Sequence, residues 1–534
     1  MADALSLIST RHTPQTERAD ARQEQNSAGG YTFTLDQMAR LRRFLVLGVD
    51  GGTYYVGQAD LAKDNAGIVL DLARNRTTEL VAEIVAVSTA GRAPKQNPTL
   101  FALAAACSLG DDDGRTAALD ALPLVARTGT HLFLFARYVE QFRGWGRGLR
   151  RAVANWYTDK SVEDVAFQAV KYRQREGWTH RDLLRLAHPE TEDGHRKRLF
   201  DWICGRATHV DGLRVVEGYQ LAQSAAVKDI PALIAEYPLS WEMLPDEALN
   251  DRKVWEALLA KGLPQGALIR QLPRLTRLGL FQTGRDAAPV AAQLVSQERL
   301  RKARVHPVSV LLAQRTYASG HGARGAAEWT PSRVIVDALD AAFYAAFGAV
   351  EPAGKRTLLA LDVSGSMTAP ISGMPITCRE ASAALALVTA ATEPDYDIVG
   401  FTSAGGRGWS RDAALTPLSI SPRQRLDDAI RAVSNLPFGG TDCSLPMLHA
   451  MQAGRQVDTF VVYTDNETYA GRMHPHEALR EYRERTGITA KLIVVGMTAT
   501  KFSIAVPGDL GMLDVAGFDA AVPTLIGDFS AGRV

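Results

Sequence analysis

Leu-Leu-Ala-Leu-Asp-Val-Ser-Gly-Ser, residues 358–366, joins an apolar run to a carboxylate and two hydroxyls. A short apolar run of this kind is typical of a buried strand. Where the strand ends, Asp362 offers a charged oxygen, and Ser364 and Ser366 offer neutral ones. Oxygen ligands suit a hard cation such as Mg²⁺, and a site with few carboxylates keeps coordination positions open for water or a partner's acidic group. The stretch therefore predicts a divalent-cation site that serves binding.

Two other segments offer oxygens in the same way. Thr441 follows the glycine turn of Phe438-Gly-Gly-Thr-Asp442, and Asp465 ends the β-rich run Thr-Phe-Val-Val-Tyr-Thr-Asp, residues 459–465. In an open α/β sheet, ligands collect at the carboxyl edge of the strands. We therefore expect Thr441 and Asp465 to lie beside the first loop.

The order DxSxS, GGT, TD resembles the metal-ion-dependent adhesion site of von Willebrand factor A domains. Carried over by position, the resemblance implies a first ligand loop of Asp362, Ser364 and Ser366, a second ligand Thr441 and a third ligand Asp465. Asn466 departs from the commoner pattern, in which a glycine follows the aspartate. We expect that departure to alter only the turn.

Catalytic interpretations fit less well. Ser364 lacks the GxSxG nucleophile elbow, no second aspartate follows Asp362 as phosphoaspartyl chemistry requires, and the chain has no GxxxxGK[ST] loop. The sequence favours cation-dependent binding over catalysis and predicts that the protein is not an enzyme. A metal-dependent hydrolase using Asp362 and Asp465 stays open as an alternative.

The length and composition predict an ordinary multidomain protein. A chain of 534 residues exceeds what one core supports, and 46% hydrophobic with 22% charged residues is usual for soluble proteins. The four cysteines form no CxxC pair, which argues against a disulfide framework or a zinc site and fits a reducing cytosol. Residues 1–30 are polar and predict a flexible tail. The longest apolar helical stretch, residues 381–391, is too short for a bilayer. We expect a cytoplasmic protein with no membrane partner.

Two architectures are predicted within the chain. Residues 31–350 show helical periodicity, as in the segment that Ser161 caps, where Val162, Val165, Ala169 and Val170 share one face. Successive helix pairs there suit a degenerate α-solenoid, which can curl into a ring. Residues 355–534 alternate strands with helices, which predicts an α/β, Rossmann-like domain with a mostly parallel sheet.

Positive charge is concentrated in the helical part, although the whole chain carries a net charge of only +1. Lys171 and Arg175 are spaced i, i+4, which predicts that they share one helix face. Gly177 is predicted to end that helix and Thr179 to cap the next, with Asp182 at its third position. On the second helix Arg181, Arg185 and His188 are spaced i, i+4, i+7.

Aromatic residues lie among these cations: Tyr172, Trp178 and His180. Phosphate pairing by Arg and Lys combined with base stacking on aromatic rings is typical of nucleic-acid binding. Other segments have a similar composition, namely 141–151 with Arg147, 299–307 with Arg304, and 315–325. The alternative for each is a solvated charged face, but several such segments in one helical part favour a path for a polyanion.

Several motifs resemble the Ro autoantigen family of TROVE-domain proteins. They are Gly51-Gly-Thr-Tyr-Tyr55, Gly144-Trp-Gly-Arg-Gly148, residues 171–188, Gly320-His-Gly-Ala-Arg-Gly325 and Asp465-Asn-Glu-Thr468. The resemblance runs from about Tyr31 to the C-terminus. It implies an all-α ring of HEAT-like helical repeats that carries a von Willebrand A domain.

The resemblance also implies a function. Family members bind Y RNAs on the outside of the ring and single-stranded ends of misfolded non-coding RNAs in its cavity. Mapped by motif, Lys171, Arg175 and His188 are the first candidates for Y RNA contact, with Arg181 and Arg185 beside them, Tyr172 and Trp178 as stacking residues, and Arg147 and Arg304 as further candidates. The family's association with exoribonucleases implies a role in RNA quality control and a protein partner at the metal site.

An alternative function stays open. The chain could be a von Willebrand A adaptor that binds acidic protein partners through a divalent cation, with a helical part that binds protein instead of RNA. Salt-sensitive RNA binding that depends on Lys171 and Arg175 would distinguish the two interpretations.

Overall fold

The computed structural model describes residues 12–50, 52–322, 327–347, 351–371, 376–403, 415–436, 439–519 and 521–533. The chain divides into two compact units. One unit, the α/β unit, consists of Met1–Ile68 and Phe347–Val534, and the other, the helical unit, consists of Val69–Ala346. The predicted combination of a helical part and an α/β part is confirmed, but the helical unit begins later than residue 31.

A six-stranded sheet forms the centre of the α/β unit. The strands of the described chain are, in order, β1 (Gln23–Gln25), β2 (Tyr31–Thr34), β3 (Gln174–Arg175), β4 (Trp178–Thr179), β5 (Thr357–Asp362), β6 (Tyr396–Phe401), β7 (Leu415–Pro417), β8 (Thr459–Thr464), β9 (Lys491–Gly496), β10 (Phe502–Ser503) and β11 (Met512–Ala516). Strands β1, β2 and β10 form a second, smaller sheet, and β3 and β4 form a two-stranded hairpin in the helical unit. The large sheet has the order β11-β9-β8-β5-β6-β7. Only β7 runs antiparallel to its neighbour. The mostly parallel sheet predicted from the sequence is confirmed.

The two central strands explain why the sheet forms where it does. Every residue of β5 and of β8 is buried, because helices cover both faces of the sheet. The two strands run parallel, with Leu359 opposite Val461. Their carboxyl ends, Asp362 and Thr464, therefore emerge at the same edge.

The helices of the α/β unit begin and end at clear signals. They span Gln37–Leu47, Cys378–Thr392, Leu426–Ser434, Leu445–Gln452, Pro475–Thr486 and Ala521–Ala531, and the helix Gln58–Asn75 begins in this unit and ends in the helical unit. Before Cys378–Thr392, the Thr377 hydroxyl accepts from the Glu380 N–H and the Glu380 side chain accepts from the Thr377 N–H, which completes a capping box. That helix is rich in alanine and almost wholly buried.

The N-terminal segment corrects one expectation. The prediction of a flexible tail is wrong for residues 12–30, because β1 pairs with β2 and β2 pairs with β10. Gln15 is fully buried, and its Nε2 donates to Asp442 Oδ1 at 2.9 Å and to the Met473 carbonyl at 2.8 Å. The Gln15 side chain is held in place because it forms hydrogen bonds with buried groups far along the chain. The first 11 residues lie outside the described ranges.

The helical unit is a succession of mostly short helices. They span Thr77–Thr89, Asn97–Leu109, Asp112–Asp120, Leu122–Val125, Gly129–Phe142, Arg147–Thr158, Val162–Lys171, His180–Ala187, Gly194–Ile203, Arg214–Ser224, Ile230–Glu236, Arg252–Lys261, Gln265–Arg277, Gly284–Leu294, Gln297–Lys302, Pro307–Ser319 and Arg333–Ala345. The predicted stripe on Val162–Lys171 is buried and Ser161 caps that helix. Among the described residues, no helix is long and apolar enough to cross a membrane.

Contacts within the helical unit join its first helices to its last. His306 accepts from the Val308 N–H through Nδ1, so the neutral ring carries its proton on Nε2, which lies 3.2 Å from the Arg92 carbonyl oxygen. Arg304 Nη1 lies 3.5 Å from the Ser88 carbonyl oxygen. These contacts join residues more than 200 positions apart in the sequence. The first and last helices of the helical unit therefore meet.

Candidate cation site and nucleic-acid interface

Backbone and side-chain hydrogen bonds tie the three predicted ligand loops together. The Gly365 N–H donates to the Gly439 carbonyl at 3.1 Å, which joins the first loop to the second. The Tyr469 N–H donates to the Thr441 carbonyl at 3.1 Å, which joins the second to the third. The structure thus brings the predicted ligands to one edge of the sheet.

The first loop is held in a fixed conformation. Asp362 Oδ1 accepts from the Ser364 N–H at 2.9 Å, and Asp362 Oδ2 accepts from the Thr464 hydroxyl at 2.7 Å. The hydroxyl oxygens of Ser364 and Ser366 are 3.0 Å apart. All of these side chains are buried, so the loop presents preorganised oxygens.

The Thr441 side chain supplies an observation that supports a cation site. Its hydroxyl oxygen is buried and has no hydrogen-bond partner among the described residues. A buried hydroxyl without a partner costs free energy, so such groups call for a functional explanation. A cation at the resemblance-implied site would supply the missing interaction.

The electrostatics of the two carboxylates agree with this interpretation. Burial, and then the charges of Asp362 and Glu467, raise the pKa of Asp465 well above its usual range. Burial also raises the pKa of Asp362. Two buried carboxylates that disfavour each other's ionisation are the arrangement that a divalent cation stabilises. Among the described residues no three His, Cys, Asp or Glu side chains cluster as metal ligands, so hydroxyls would complete the set.

Three neighbours of the site were not predicted as site residues. Arg379 Nη2 donates to the carbonyls of Val363 and Ser364, at 2.6 and 2.9 Å, and so positions the first loop. Glu467 accepts from the Ala28 N–H, and burial raises its pKa to about 7. Tyr55 is close enough for Asp465 and Glu467 to contribute to the raised pKa of its phenol, after burial. The motifs at 51–55 and 465–468 were the available signals for Tyr55 and Glu467.

Asn466 is placed as expected. Its φ is 67°, the left-handed region that asparagine tolerates better than most residues other than glycine. Its side-chain oxygen accepts from the Ile504 N–H at 3.0 Å. The asparagine therefore keeps the turn and leaves the ligands in place.

The cationic segment differs from the prediction at one point. The helix ends at Lys171, and Arg175 lies in β3 of a hairpin with β4, so the prediction that Lys171 and Arg175 share a helix face is wrong. Glu176 and Gly177 both have positive φ, 56° and 83°, which is the two-residue turn that matches strand twist. Gly177 therefore forms a hairpin turn and does not end the helix.

The second helix follows the prediction. Thr179 and Asp182 form a capping box at the start of His180–Ala187. Arg181, Arg185 and His188 are exposed, with His188 in the left-handed conformation just after the helix. The hairpin and this helix together form a surface that we call the hairpin–helix surface, defined by Arg175, Trp178, Arg181, Arg185 and His188.

Lys171 is placed differently from these arginines. Its ammonium nitrogen lies 3.5 Å from Glu242, and the two side chains are only 11% and 17% exposed. The ammonium also lies 5.3 Å from the ring centroids of Phe167 and Tyr172. Lys171 therefore has a structural ion pair, and its contact with RNA stays a prediction.

The aromatic residues divide into two groups. His180 is buried against Tyr157, whose hydroxyl lies 2.7 Å from His180 Nδ1, so it belongs to the core and does not present a stacking surface. Trp178 is half-buried and its ring centroid lies 5.6 Å from that of Trp145. This tryptophan pair lies next to exposed Arg147, the first residue of Arg147–Thr158.

Arg304 lies in another part of the helical unit, where its contacts are with Ser88 and Gly91. It is exposed and has a positive φ of 48°. Residues 323–326 of the glycine-rich motif lie outside the described residues. The structure therefore gathers Arg175, Arg181, Arg185 and His188 on adjacent elements and leaves Arg304 elsewhere.

Comparisons with known proteins agree with this architecture. The TROVE domain family model matches residues 24–216 and 234–316, and the Ro60 vWA domain model matches residues 356–530. An RNA-binding protein RO60 of Deinococcus radiodurans is 42% identical over the full length of both chains. Its Caenorhabditis elegans namesake is 35% identical over 97% of this chain and 92% of its own length.

A solved structure is also similar. The crystal structure of the Deinococcus radiodurans RO (RSR) protein matches with a TM-score of 0.69 and 40% identity, over 93% of this chain and all of that one. Domains of the von Willebrand A type are generally associated with a divalent-cation site, which agrees with the ligand loops described above.

Proposed function

The chain belongs to the Ro autoantigen family of TROVE-domain proteins, and from this membership we propose that it binds RNA through the hairpin–helix surface. The proposed ligands are a Y-type small RNA on the outer surface of the helical unit and single-stranded ends of misfolded non-coding RNA in its cavity. The proposed setting is RNA quality control or processing in the cytoplasm.

The observation that carries the proposal is the unpaired charge of three arginines. Within the described chain, Arg175, Arg181 and Arg185 have no carboxylate within ion-pair distance, although Arg137 and Glu176 beside them do pair. Exposed guanidinium groups that are not neutralised internally are available for phosphates, to which arginine binds in a bidentate manner. The hairpin and the capping box hold these groups on rigid elements, which lowers the entropy lost on binding.

Stacking and shape would supply what charge does not. The Trp145–Trp178 pair offers aromatic surface beside the arginines, on which an unpaired base can stack. Phosphate contacts and stacking tolerate any sequence, so we expect recognition of a duplex next to a single-stranded end, with low sequence specificity. Lys171 and Tyr172 would contribute from the edge of this surface, and Arg147 and Arg304 would add weaker contacts.

The cation site has a separate proposed role. Asp362, Ser364, Ser366, Thr441 and Asp465 would hold Mg²⁺, which would offer an open position to an acidic residue of a protein partner such as an exoribonuclease. Bound Mg²⁺ would neutralise the two carboxylates. We propose binding without catalysis, because the described oxygens suit coordination and none is arranged as an activated nucleophile.

A direct test compares two variants that each lose two positive charges. Arg181→Gln/Arg185→Gln removes charge from the hairpin–helix surface, and Lys228→Gln/Arg285→Gln removes it from other exposed helices of the unit. Binding of an RNA duplex with a single-stranded tail is measured across a salt titration. We expect the first variant to bind at least about tenfold more weakly with a salt slope reduced by about 2, and the control to resemble wild type. Equal behaviour of the two variants would refute the site assignment.

Two further measurements address the alternatives. If the chain is an adaptor, RNA affinity will be insensitive to the single-stranded tail and a Mg²⁺-dependent protein partner will bind instead. If it is a hydrolase, labelled RNA incubated with the protein and Mg²⁺ will be cleaved, and Asp362→Ala will abolish cleavage. We expect no cleavage by either protein.

A further inference from the structure

A cavity of about 880 Å³ lies within the helical unit, where its first and last helices meet. Its walls come from three places: residues 93–96 with Arg127, the helix Gln265–Arg277, and residues 302–317. The volume falls within the range of small-molecule binding sites. The hairpin–helix surface contributes none of the lining residues.

Four cations line this cavity: Arg127, Arg270, Lys302 and Arg304. No Asp or Glu is among its lining residues, and in the described part of the chain none of the four has an ion-pair partner. Cations gathered around a concave surface without compensating carboxylates create a strong positive potential, which favours an anion.

Two of these cations converge on one atom. Arg127 Nη1 lies 3.3 Å and Arg304 Nη1 lies 3.5 Å from the carbonyl oxygen of Ser88. Burial, and then the charge of Arg304, lower the pKa of Arg127. The side-chain hydrogen bonds that Arg127 makes to described residues all use Nη1, which leaves its Nε and Nη2 for a ligand. An anion between the two guanidinium groups would relieve their repulsion.

The chain accommodates Arg304 at a conformational cost. Arg304 has a positive φ of 48°, which is unfavourable for a residue with a side chain. Gly91 makes room for it, because a Cβ added at Gly91 would lie 3.3 Å from Arg304 Cβ. Strain of this kind is found at binding sites, where the surrounding structure holds it in place.

The rest of the cavity suits a flat, partly apolar group. Pro94, Ile269, Val305 and Leu312 provide apolar wall, and Gln96, Ser309 and Thr316 provide polar groups. Pro273 lies inside its helix and has no N–H to offer to the carbonyl of Ile269, and both residues line the cavity. The cavity therefore combines an anion site with apolar surface and hydrogen-bonding groups.

We propose that this cavity binds a ribonucleoside monophosphate, with the phosphate between the cations and the nucleoside against the apolar wall. A phosphomonoester carries the charge that several cations match, and a nucleoside carries flat apolar faces with polar edges. The same chemistry occurs in a free mononucleotide and in the phosphorylated end of an RNA. The proposal is independent of the hairpin–helix surface.

The test is calorimetric titration of the full-length, RNA-free protein with AMP, GMP, CMP and UMP, and separately with adenosine and inorganic phosphate. We expect at least one mononucleotide to bind at least about tenfold more tightly than adenosine or phosphate alone. The variant Arg270→Gln/Lys302→Gln removes two exposed cations from the cavity. We expect its affinity for that mononucleotide to be at least about tenfold weaker than that of wild type. The control variant Arg277→Gln/Arg301→Gln removes the same number of positive charges from the same two helices, at positions that do not line the cavity. It should bind the mononucleotide as wild type does.

Competition experiments show whether the ligand of this cavity is a free nucleotide or the phosphorylated end of an RNA. Displacement of the mononucleotide by a 5′-phosphorylated oligoribonucleotide, but not by its 5′-hydroxyl counterpart, would identify an RNA end. Displacement only by free nucleotides would identify a metabolite, and either result supports the proposal. Absence of nucleotide binding, binding of phosphate as tight as that of nucleotide, or equal loss in both double variants would overturn it. The Arg181→Gln/Arg185→Gln variant should keep mononucleotide binding, so failure here and failure of the proposed RNA surface are separable.

Discussion

The ammonium nitrogen of Lys171 lies 3.5 Å from a carboxylate oxygen of Glu242, and both side chains are largely buried. The second carboxylate oxygen of Glu242 is buried and has no hydrogen-bond partner among the described residues. Lys171 therefore neutralises a carboxylate that has few other interactions. A variant of Lys171 would perturb folding as well as any RNA contact, whereas exposed Arg175 has no such role.

The first prediction separates these two residues. Lys171→Met should lower the free energy of unfolding by about 1–3 kcal/mol, because it leaves Glu242 buried without a counter-charge. Arg175→Gln should change that free energy by less than about 0.5 kcal/mol, because its side chain is exposed. Urea denaturation measures both. Adding Glu242→Gln to Lys171→Met should recover most of the loss, and an absence of recovery would show that the ion pair is not responsible.

The second prediction concerns the cation site. Thr441→Val removes a buried hydroxyl that has no partner, so in EDTA the variant should be as stable as wild type or more stable by about 1 kcal/mol. Mg²⁺ should raise the melting temperature of wild type and have a much smaller effect on Thr441→Val. Scanning calorimetry with and without Mg²⁺ measures this difference.

Thr459→Val is the matched control for that experiment. Thr459 also has a buried hydroxyl without a partner, but it begins β8, at the opposite end of the strand from Asp465. The control should keep the full response to Mg²⁺. An equal loss of the response in both variants would contradict the assignment of Thr441 as a ligand.

The third prediction tests the contact between the first and last helices of the helical unit. Gly91→Ala combines an unfavourable positive φ of 72° with a tight approach to Arg304 Cβ, and should cost about 1–3 kcal/mol. Gly144→Ala has a similar φ of 80° but no atom within 4 Å of the new Cβ, and should cost about 1 kcal/mol. Chemical denaturation compares the two. Identical losses would indicate that Arg304 does not pack against Gly91.

The fourth prediction is a dependence of stability on pH. Burial lowers the pKa of His180 to about 4, from an ordinary value of about 6.5. Above pH 6.5 both the folded and unfolded states are neutral at this residue; as pH falls toward 4 only the unfolded state binds the proton, so stability is lost. His180 alone should contribute a loss of about 2 kcal/mol between pH 7 and pH 5.

Urea denaturation at pH 7 and pH 5 tests this contribution. His180→Asn should reduce the loss between the two pH values, whatever its effect on stability at pH 7. Leu183→Ala, a neighbouring core variant without a titratable group, should lower stability equally at both pH values. If His180→Asn retains the full pH-dependent loss, His180 is not the group responsible.

The convergence of the candidate cation ligands was predictable to the extent that its signals are local. Asp362 and Asp465 lie at the ends of β5 and β8, strands that show in the sequence as mostly apolar runs at 358–361 and 459–463. Thr441 does not follow a strand, because it lies between the helices Leu426–Ser434 and Leu445–Gln452. Parallel strands deliver their carboxyl ends to one edge, which grouped Asp362 with Asp465, and the resemblance to the adhesion-site motif added Thr441. Arg379 and Tyr55 were not predicted as part of the site, because no local pattern indicates which distant side chain will approach a loop.

The error at Lys171 and Arg175 has a specific cause. Their spacing suits a helix, but Glu176 and Gly177 adopt a two-residue hairpin turn with positive φ at both residues, which a helix cannot contain. The chain therefore leaves the helix after Lys171 and forms a hairpin, although the spacing of Lys171 and Arg175 matches a helical period. The capping box at Thr179 and Asp182 was predicted correctly because both partners lie within one turn of helix.

The amino-acid sequence by itself determined the α/β and helical character of the two parts and the order of the candidate cation ligands, since periodicity, caps and strand ends act over a few residues. Tertiary structure alone decided that Gln15 is buried beside Asp442, that Lys171 pairs with Glu242, and that Arg304 meets Ser88 across 216 residues of chain. Such pairings depend on which surfaces meet when elements pack. Buried polar groups then select partners by proximity in space, which local sequence patterns do not encode.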